Sequence, residues 1–417
     1  MPASVLPVVQ RAHGVMIHDV DGRDYLDGCS GTVCVNIGHG VPEVLDAMAS
    51  QARRVTFAHR SQFRNEPLTD LSATILSLAG EGFEEVVYTN SGSEAMETAL
   101  RLMTHHHAGS ARRVVVTQRP SYHGMTAGAL AISAHPPRRA NLESMLHGVG
   151  EVVHVESSDT AEIFPSLEDW MRVLNRFDPG EVAAVCFEPV GGAAGGGAEV
   201  STETQRGLRE FCDSSGALMI VDEVMTGFGR TGEWFGFTPS GVTPDLIVTG
   251  KGLSAGYIPI GACIVAATVL PGRSANDFSL GHTMSGNPLS AATALAVLNY
   301  TIDNKLVECA RERGRRLRDE LTALARDVDF LRPPRGRGLL LGAPIDQDPA
   351  GYATAPLNLL FTANARQCGL LVYPSGVDAH TQSVLVCPPL TISDAELDVL
   401  IARLADAARR TSQARTR

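Results

Sequence analysis

Between about residue 67 and residue 290 the chain alternates β-rich apolar runs with segments of helical period, and this alternation limits the fold more than any other feature. EEVVYT, RRVVVT, EVVHV, VAAVCFEP, ALMIVDE, PDLIVTG and GACIVA read as strands; SEAMETALRLMTHH, SLEDWMRVLNRF and TQRGLREFCDSSG between them read as helices. Strands joined through helices pair in parallel, so an α/β domain is expected, its mostly parallel sheet covered by helices on both faces. The first fifty residues read instead as short strands around the Asp-Gly turn of HDVDGRDYLD, followed by an amphipathic helix in VPEVLDAMASQARR. Beyond residue 290 a long helical stretch runs to ELTALARD. Short strands GLLLG, LLVYP and SVLVC follow, then a last helix in DAELDVLIARLADAARR. The expected division is a large domain at 49–289 and a smaller α+β domain built from 1–48 and 290–417. The glycine-rich 191–200 stretch reads as a loop.

At 417 residues, 44% hydrophobic and 19% charged, the chain has apolar material for a sizeable core, which excludes disorder as its main state. The longest nearly apolar stretch, Ile258 to Leu270, is too short for the roughly 20 residues of a membrane span. No basic segment followed by an apolar one opens the sequence, so no secretory signal is expected. A net charge of −11 argues against nucleic acid as a partner. Eight cysteines without a CxxC pair suit buried thiols in a reducing compartment, and the cytoplasm is expected. Of the 35 basic residues only Lys251 and Lys305 are lysines. Chemistry that needs a deprotonatable amine therefore has two candidates, since a guanidinium stays charged.

Two familiar patterns fail on context. GFGRTG at Gly227 to Gly232 matches a dinucleotide fingerprint, but EWFGFTPSGVTP follows it with two prolines and no helical period. A nucleotide-binding P-loop around Lys251 would need glycine at 245 and a hydroxyl at 252, where the chain has Asp245 and Gly252. The His105 to His107 run lacks partner ligands at metal spacing, so no metal is expected. What remains lies at strand ends. Asp222 closes one apolar run and Lys251 follows another, at the edge where open α/β sheets bind ligands. A third strand end, Thr89 to Glu94, opens a helix with small residues whose N–H groups and hydroxyls suit a phosphate. A phosphate seat, an acid and an amine on one sheet edge are what pyridoxal 5′-phosphate requires: the amine forms a Schiff base, and the acid keeps the pyridine nitrogen protonated.

Over nearly its whole length the sequence resembles the class III aminotransferases, pyridoxal-phosphate enzymes of fold type I. The likeness rests on DVDGRDYLDG, NIGHG, TNSGSEAMETALRL, SYHGMTAGAL, CFEPVGG, IVDEVMTGFGRTG, PDLIVTGKGLSAGYIPIGA, HTMSGNP and CPPLTIS in the family's order, with 29 residues from Asp222 to Lys251. The resemblance implies that Lys251 carries the cofactor and shuttles the proton, and that Asp222 pairs with the pyridine nitrogen. It implies that Gly92 and Ser93 hold the phosphate, Tyr122 stacks on the ring, and Glu188 lies on the phenolic side. Thr283 is implied to reach the cofactor of a neighbouring subunit, which makes the active form a homodimer.

Departures from the family pattern bear on the substrate. Leu385 stands where many relatives have a carboxylate-binding arginine, and Ala193 where they have the glutamate that pairs with it. Loss of both members of a charge pair is coherent, because either alone would be uncompensated. Met225 replaces a glutamine, and Val33 stands where many relatives have tryptophan, which suggests a wider pocket. The sequence thus reads as an aminotransferase for an amine donor and a carbonyl acceptor, with a substrate not clamped through an α-carboxylate. Its overall likeness is to the aminoglycoside 6′-aminotransferases of antibiotic biosynthesis. The alternatives are a general ω-amine:pyruvate aminotransferase, or an epimerase or aminomutase of the same class.

Overall fold

The computed structural model describes residues 6–274, 277, 280–346 and 356–415. Its centre is a seven-stranded sheet in the order Phe83–Thr89, Gly261–Ala266, Leu246–Thr249, Leu218–Asp222, Val182–Phe187, Val114–Gln118, Glu151–Val155. Only Gly261–Ala266 runs antiparallel to its neighbours; the other described pairings are parallel. The period of two along each strand sorts side chains to the two faces. Met219 and Val221 join Trp170, Leu208 and Cys212 on one face, while Leu218 and Ile220 meet Met96, Leu102 and Met103 on the other. Trp170 lies in helix Leu167–Leu174, Leu208 in Thr202–Ser215, and Met96 in Gly92–His106, so helices cover both faces. The α/β architecture expected from the alternation is the one observed.

The two ends of the chain meet. Leu370–Leu371 adds in parallel to Asp24–Asp27, extending an N-terminal meander of Val9–His13, Met16–Asp19 and Asp24–Asp27. A second small sheet holds Arg335–Arg337, Leu340–Pro344, Ser383–Val386 and Tyr373–Ser375. The long helical stretch after residue 287 is two helices, Pro288–Asp303 and Leu306–Asp327, broken where Lys305 takes a left-handed φ of 51°. The divisions drawn at 48/49 and 289/290 fall inside helices Pro42–Arg54 and Pro288–Asp303. The second of these contributes Val297 to one core and Ala291, Ala294 and Leu298 to another.

The glycine-rich stretch is a buried loop. Phe164 lies so close to Gly191 and Gly195 that a Cβ on either would fall within 2.6 Å of its ring tip. No helix among the described residues is long and apolar enough to cross a membrane.

Candidate active site

The carboxyl ends of the parallel strands converge, and in-register pairing sets their side chains beside one another. Asp222 pairs with Val248, three residues before Lys251, and Val221 pairs with Phe187, so Glu188 follows next to Asp222. Asp222 is buried and held by two donors: Val224 N–H gives to Oδ1 at 3.0 Å, and His123 Nδ1 to Oδ2 at 2.7 Å. His123 is itself buried, with Nε2 at 3.3 Å from Thr117 Oγ1 and its backbone N–H on Ser133 Oγ at 2.8 Å. Burial pushes its imidazole towards neutrality, but the hydrogen bond and charge of Asp222, with the charge of Glu188, outweigh that and raise its pKa.

Lys251 follows strand Leu246–Thr249 with a left-handed φ of 34°, a conformation that costs a non-glycine residue energy. Burial lowers its pKa, opposed first by Asp222 and then by Cys34, Glu188 and Cys387. The amine therefore reaches its neutral, nucleophilic form more readily than a solvated lysine. Glu188 accepts Tyr122 N–H at 2.9 Å and Gly192 N–H at 3.2 Å, and burial raises its carboxyl.

The helix Gly92–His106 starts at the same edge, capped by Ser91 Oγ on Glu94 N–H at 3.2 Å. The first-turn N–H groups of Gly92 and Ser93 have no intrahelical acceptor and sit at the positive end of the helix dipole. Residue 92 must be glycine here: a Cβ would fall 2.8 Å from both methyls of Val224. Gly124, with φ 140°, lets the chain after His123 pass Ser93, where a Cβ would meet Oγ at 2.6 Å. Met125 N–H donates to that Ser93 Oγ at 3.1 Å, which leaves the hydroxyl proton free for an anion.

Tyr122 lies within electrostatic reach of Arg138, Tyr373, Asp222 and Glu188. One chain thus brings together Lys251, Asp222, Gly92, Ser93, Tyr122 and Glu188, and it does not bring Thr283 to them. Thr283 is exposed on a separate cleft of about 720 Å³ that Phe57, Arg60, Phe63 and Tyr88 also line. Phe63 there is 63% exposed.

Val33 does not open a space. It is 1% exposed, in an apolar cluster with Val190, Leu340, Leu385 and Cys387, against which Met225 and Tyr373 pack. The wider pocket inferred from a small residue at 33 is corrected accordingly: neighbouring side chains have closed over the position. Met225 presses so hard on the glycine loop that a Cβ on Gly192 would lie 1.9 Å from its sulfur.

Two residues of the site escaped the sequence reading. His123 follows Tyr122 in the SYHG motif, and nothing in the local sequence points to its bond with Asp222. Arg138 follows two prolines that start the short helix Pro136–Arg139, and its guanidinium carbon lies 4.3 Å from the centre of the Tyr122 ring. In the histidine run, His106 Nδ1 lies 2.8 Å from Val269 O and His107 Nε2 2.9 Å from Ala183 O, both far along the chain.

The donor set fits pyridoxal phosphate on the structure's own terms. A glycine cradle that any Cβ would fill lies at a helix N-terminus, beside a buried carboxylate and an amine of lowered pKa.

Residues 2–408 match the family described as Aminotransferase class-III. An uncharacterized aminotransferase, YodT of Bacillus subtilis, is 34% identical, covering 96% of this chain and 94% of that protein. The acetylornithine aminotransferase of Mycobacterium bovis is 33% identical, covering 94% and 89%. Among solved structures, an amine transaminase from an uncultivated Pseudomonas species, in its pyridoxal phosphate-bound form, superposes with a TM-score of 0.86 at 28% identity, covering 97% of this chain and 95% of that one.

Proposed function

Because this chain belongs to the class III aminotransferases, we propose that it moves an amino group between a primary amine lacking an α-carboxylate and a carbonyl acceptor, in a ping-pong exchange. Aminotransfer and the use of pyridoxal 5′-phosphate come with the family. The observation that carries the substrate reading is the apolar packing that fills the clamp position. Leu385 is fully buried in strand Ser383–Val386 among Val33, Leu340 and Cys387, and Ala193 offers no partner charge. An arginine at 385 would bury a charge without its counterion, at a cost of roughly 3 kcal/mol or more.

When bound, pyridoxal phosphate supplies an aldehyde that condenses with amines and a protonated ring that draws electrons from the bond beside the nitrogen. The side chains divide the remaining work. Lys251 is the amine that would hold the cofactor and, when free, would take up and return the substrate proton at its Nζ. Asp222, oriented by His123 and Val224 N–H, favours the protonated pyridine. The N–H groups of Gly92 and Ser93 with the Ser93 hydroxyl receive the phosphate. Tyr122 offers an aromatic face, and Glu188 fixes that tyrosine's backbone against the glycine loop.

An amino-sugar substrate is the finer reading from the sequence, supported by the missing clamp and the acidic net charge. The partly buried Met225 and Tyr373, packed over the buried Val33 and Leu385, favour the ω-amine alternative, because a polycation gains nothing from apolar surroundings. We take the second substrate as the better supported. The exposed cleft that holds Thr283 supports a homodimer in which this threonine completes the neighbouring site. All eight cysteines are free, which supports a reducing cytoplasmic setting.

A donor panel tests the substrate reading. With one acceptor, aliphatic and aralkyl ω-amines are expected to react at least tenfold faster, in kcat/KM, than neomycin-type amino sugars. An amino sugar outrunning them, with a rate that falls as salt rises, would reverse the choice.

A further inference from the structure

An exchange enzyme whose amine substrate carries no carboxylate still regenerates with an acceptor, and the commonest acceptors are 2-oxo acids. Gln367 to Ala402 contains no lysine or arginine, and the clamp position is buried leucine. The site nevertheless has a guanidinium that the sequence reading passed over.

Arg138 and Arg139 are adjacent in sequence and differ in use. Arg139 spends Nη1 on the carbonyls of Leu130, Ala131 and Ser133 at 3.1, 2.6 and 3.1 Å, which makes it a structural tie. Arg138 is half-buried, lies 4.3 Å over the Tyr122 ring, and donates from Nη1 to the Tyr122 hydroxyl at 3.3 Å. Among the described residues no carboxylate lies within 4.0 Å of it. The other ring packed here is His135, 5.6 Å from Tyr122, which burial and then the charge of Arg138 keep neutral down to a pKa of about 4.

A guanidinium resting on an aromatic face is held flat by the ring, with its remaining N–H donors directed outward in its own plane. That fork matches a carboxylate, and a half-buried fork strengthens such a pair relative to one in water. Tyr122, which carries the guanidinium on its ring, gives its backbone N–H to Glu188 at 2.9 Å, and the next residue, His123, bonds Asp222 at 2.7 Å, so Arg138 stands beside the carboxylates of the site.

We propose that Arg138 binds the carboxylate of the 2-oxo acid acceptor, and of the amino acid it becomes, doing from the Tyr122 side what the absent arginine at 385 does not. This rests on the aminotransferase reading above and adds the co-substrate class. The two half-reactions then differ in their use of one site, since only the acid engages Arg138.

The holoenzyme and its Arg138→Ala and Arg138→Lys variants test this with one amine donor and three acceptors: pyruvate, 2-oxoglutarate and butanal. Arg138→Ala is expected to raise KM for both acids at least tenfold more than it raises KM for butanal. Arg138→Lys is expected to fall between. Calorimetric titration with propionate and glutarate, which cannot react, is expected to show at least tenfold weaker binding to Arg138→Ala. Equal losses with all three acceptors would mean that Arg138 only positions Tyr122, and unchanged constants would mean that it does neither; both overturn the proposal. If the wild type transfers no amine at all, the functional reading fails, whereas the inert carboxylates still report on Arg138.

Discussion

Asp222 and Glu223 are adjacent, both buried, and put to opposite uses because successive residues leave a strand on opposite sides. Asp222 faces His123 and the edge with Lys251. Glu223 turns away and accepts the N–H groups of Gly236 and Phe237 at 2.8 and 2.9 Å and the Thr226 hydroxyl, closing the 224–237 segment into a loop. Burial pushes the Glu223 carboxyl up to about 7 despite those donors. The unfolded chain releases this proton near the ordinary value of 4.5, whereas the folded chain keeps it until about 7. Its contribution to stability is therefore complete below about 4.5 and lost as pH rises through about 7. The window is worth about 3 kcal/mol. Glu223→Gln does not titrate, so the difference in unfolding free energy between wild type and variant is expected to shrink by roughly that amount from pH 4.5 to 7.5. Urea denaturation at several pH values measures it. A constant difference would show that the carboxyl titrates normally.

At the scale of elements, legibility followed the range of the interactions. Strands such as Glu151–Val155 and Gly261–Ala266 were readable end to end, because local apolar pattern decides them. The antiparallel direction of Gly261–Ala266 was not readable, since it depends on where the loop after Lys251 turns. The break at Lys305 was also hidden: helical period continues through it, and only the left-handed φ marks the corner. The placement of Lys251 and Asp222 on one edge was legible because the strand ends of an open sheet share that edge. His123 and Arg138 were not, because each takes its meaning from a partner across space: Asp222 at a sequence separation of 99 in one case, and the face of Tyr122 in the other. The same holds for Arg230, a fully buried guanidinium that ties Leu339 O, Pro388 O, Ser30 Oγ and Asn36 Oδ1 together and so joins four separate segments. Val33 failed for a related reason. A small side chain suggests a gap, but packing closed over it.

For the whole molecule, the placement of Thr283 on a cleft apart from the Lys251 cluster bears on the proposed homodimer. If the Thr283 of one subunit completes the other's site, as a closed two-fold dimer permits, two defective chains can rescue each other. Lys251→Ala and Thr283→Arg homodimers are each expected to be nearly inactive. Subunits mixed and reassociated are expected to recover activity, because one site per heterodimer then carries both native residues. No recovery, in a mixture that mass spectrometry shows to contain heterodimers, would place Thr283 outside the partner's site. The central claim is that Lys251 and Asp222 serve amine transfer from a donor without a carboxylate, and not proton exchange alone. A single turnover in deuterium oxide tests it: holoenzyme is mixed with an excess of 1-phenylethylamine and no acceptor, and products are counted by mass spectrometry. One acetophenone per active site is the expected result, with the site then unable to react until an acceptor is added. Deuterium appearing at the donor carbon with no ketone released would contradict the account and make the enzyme an isomerase.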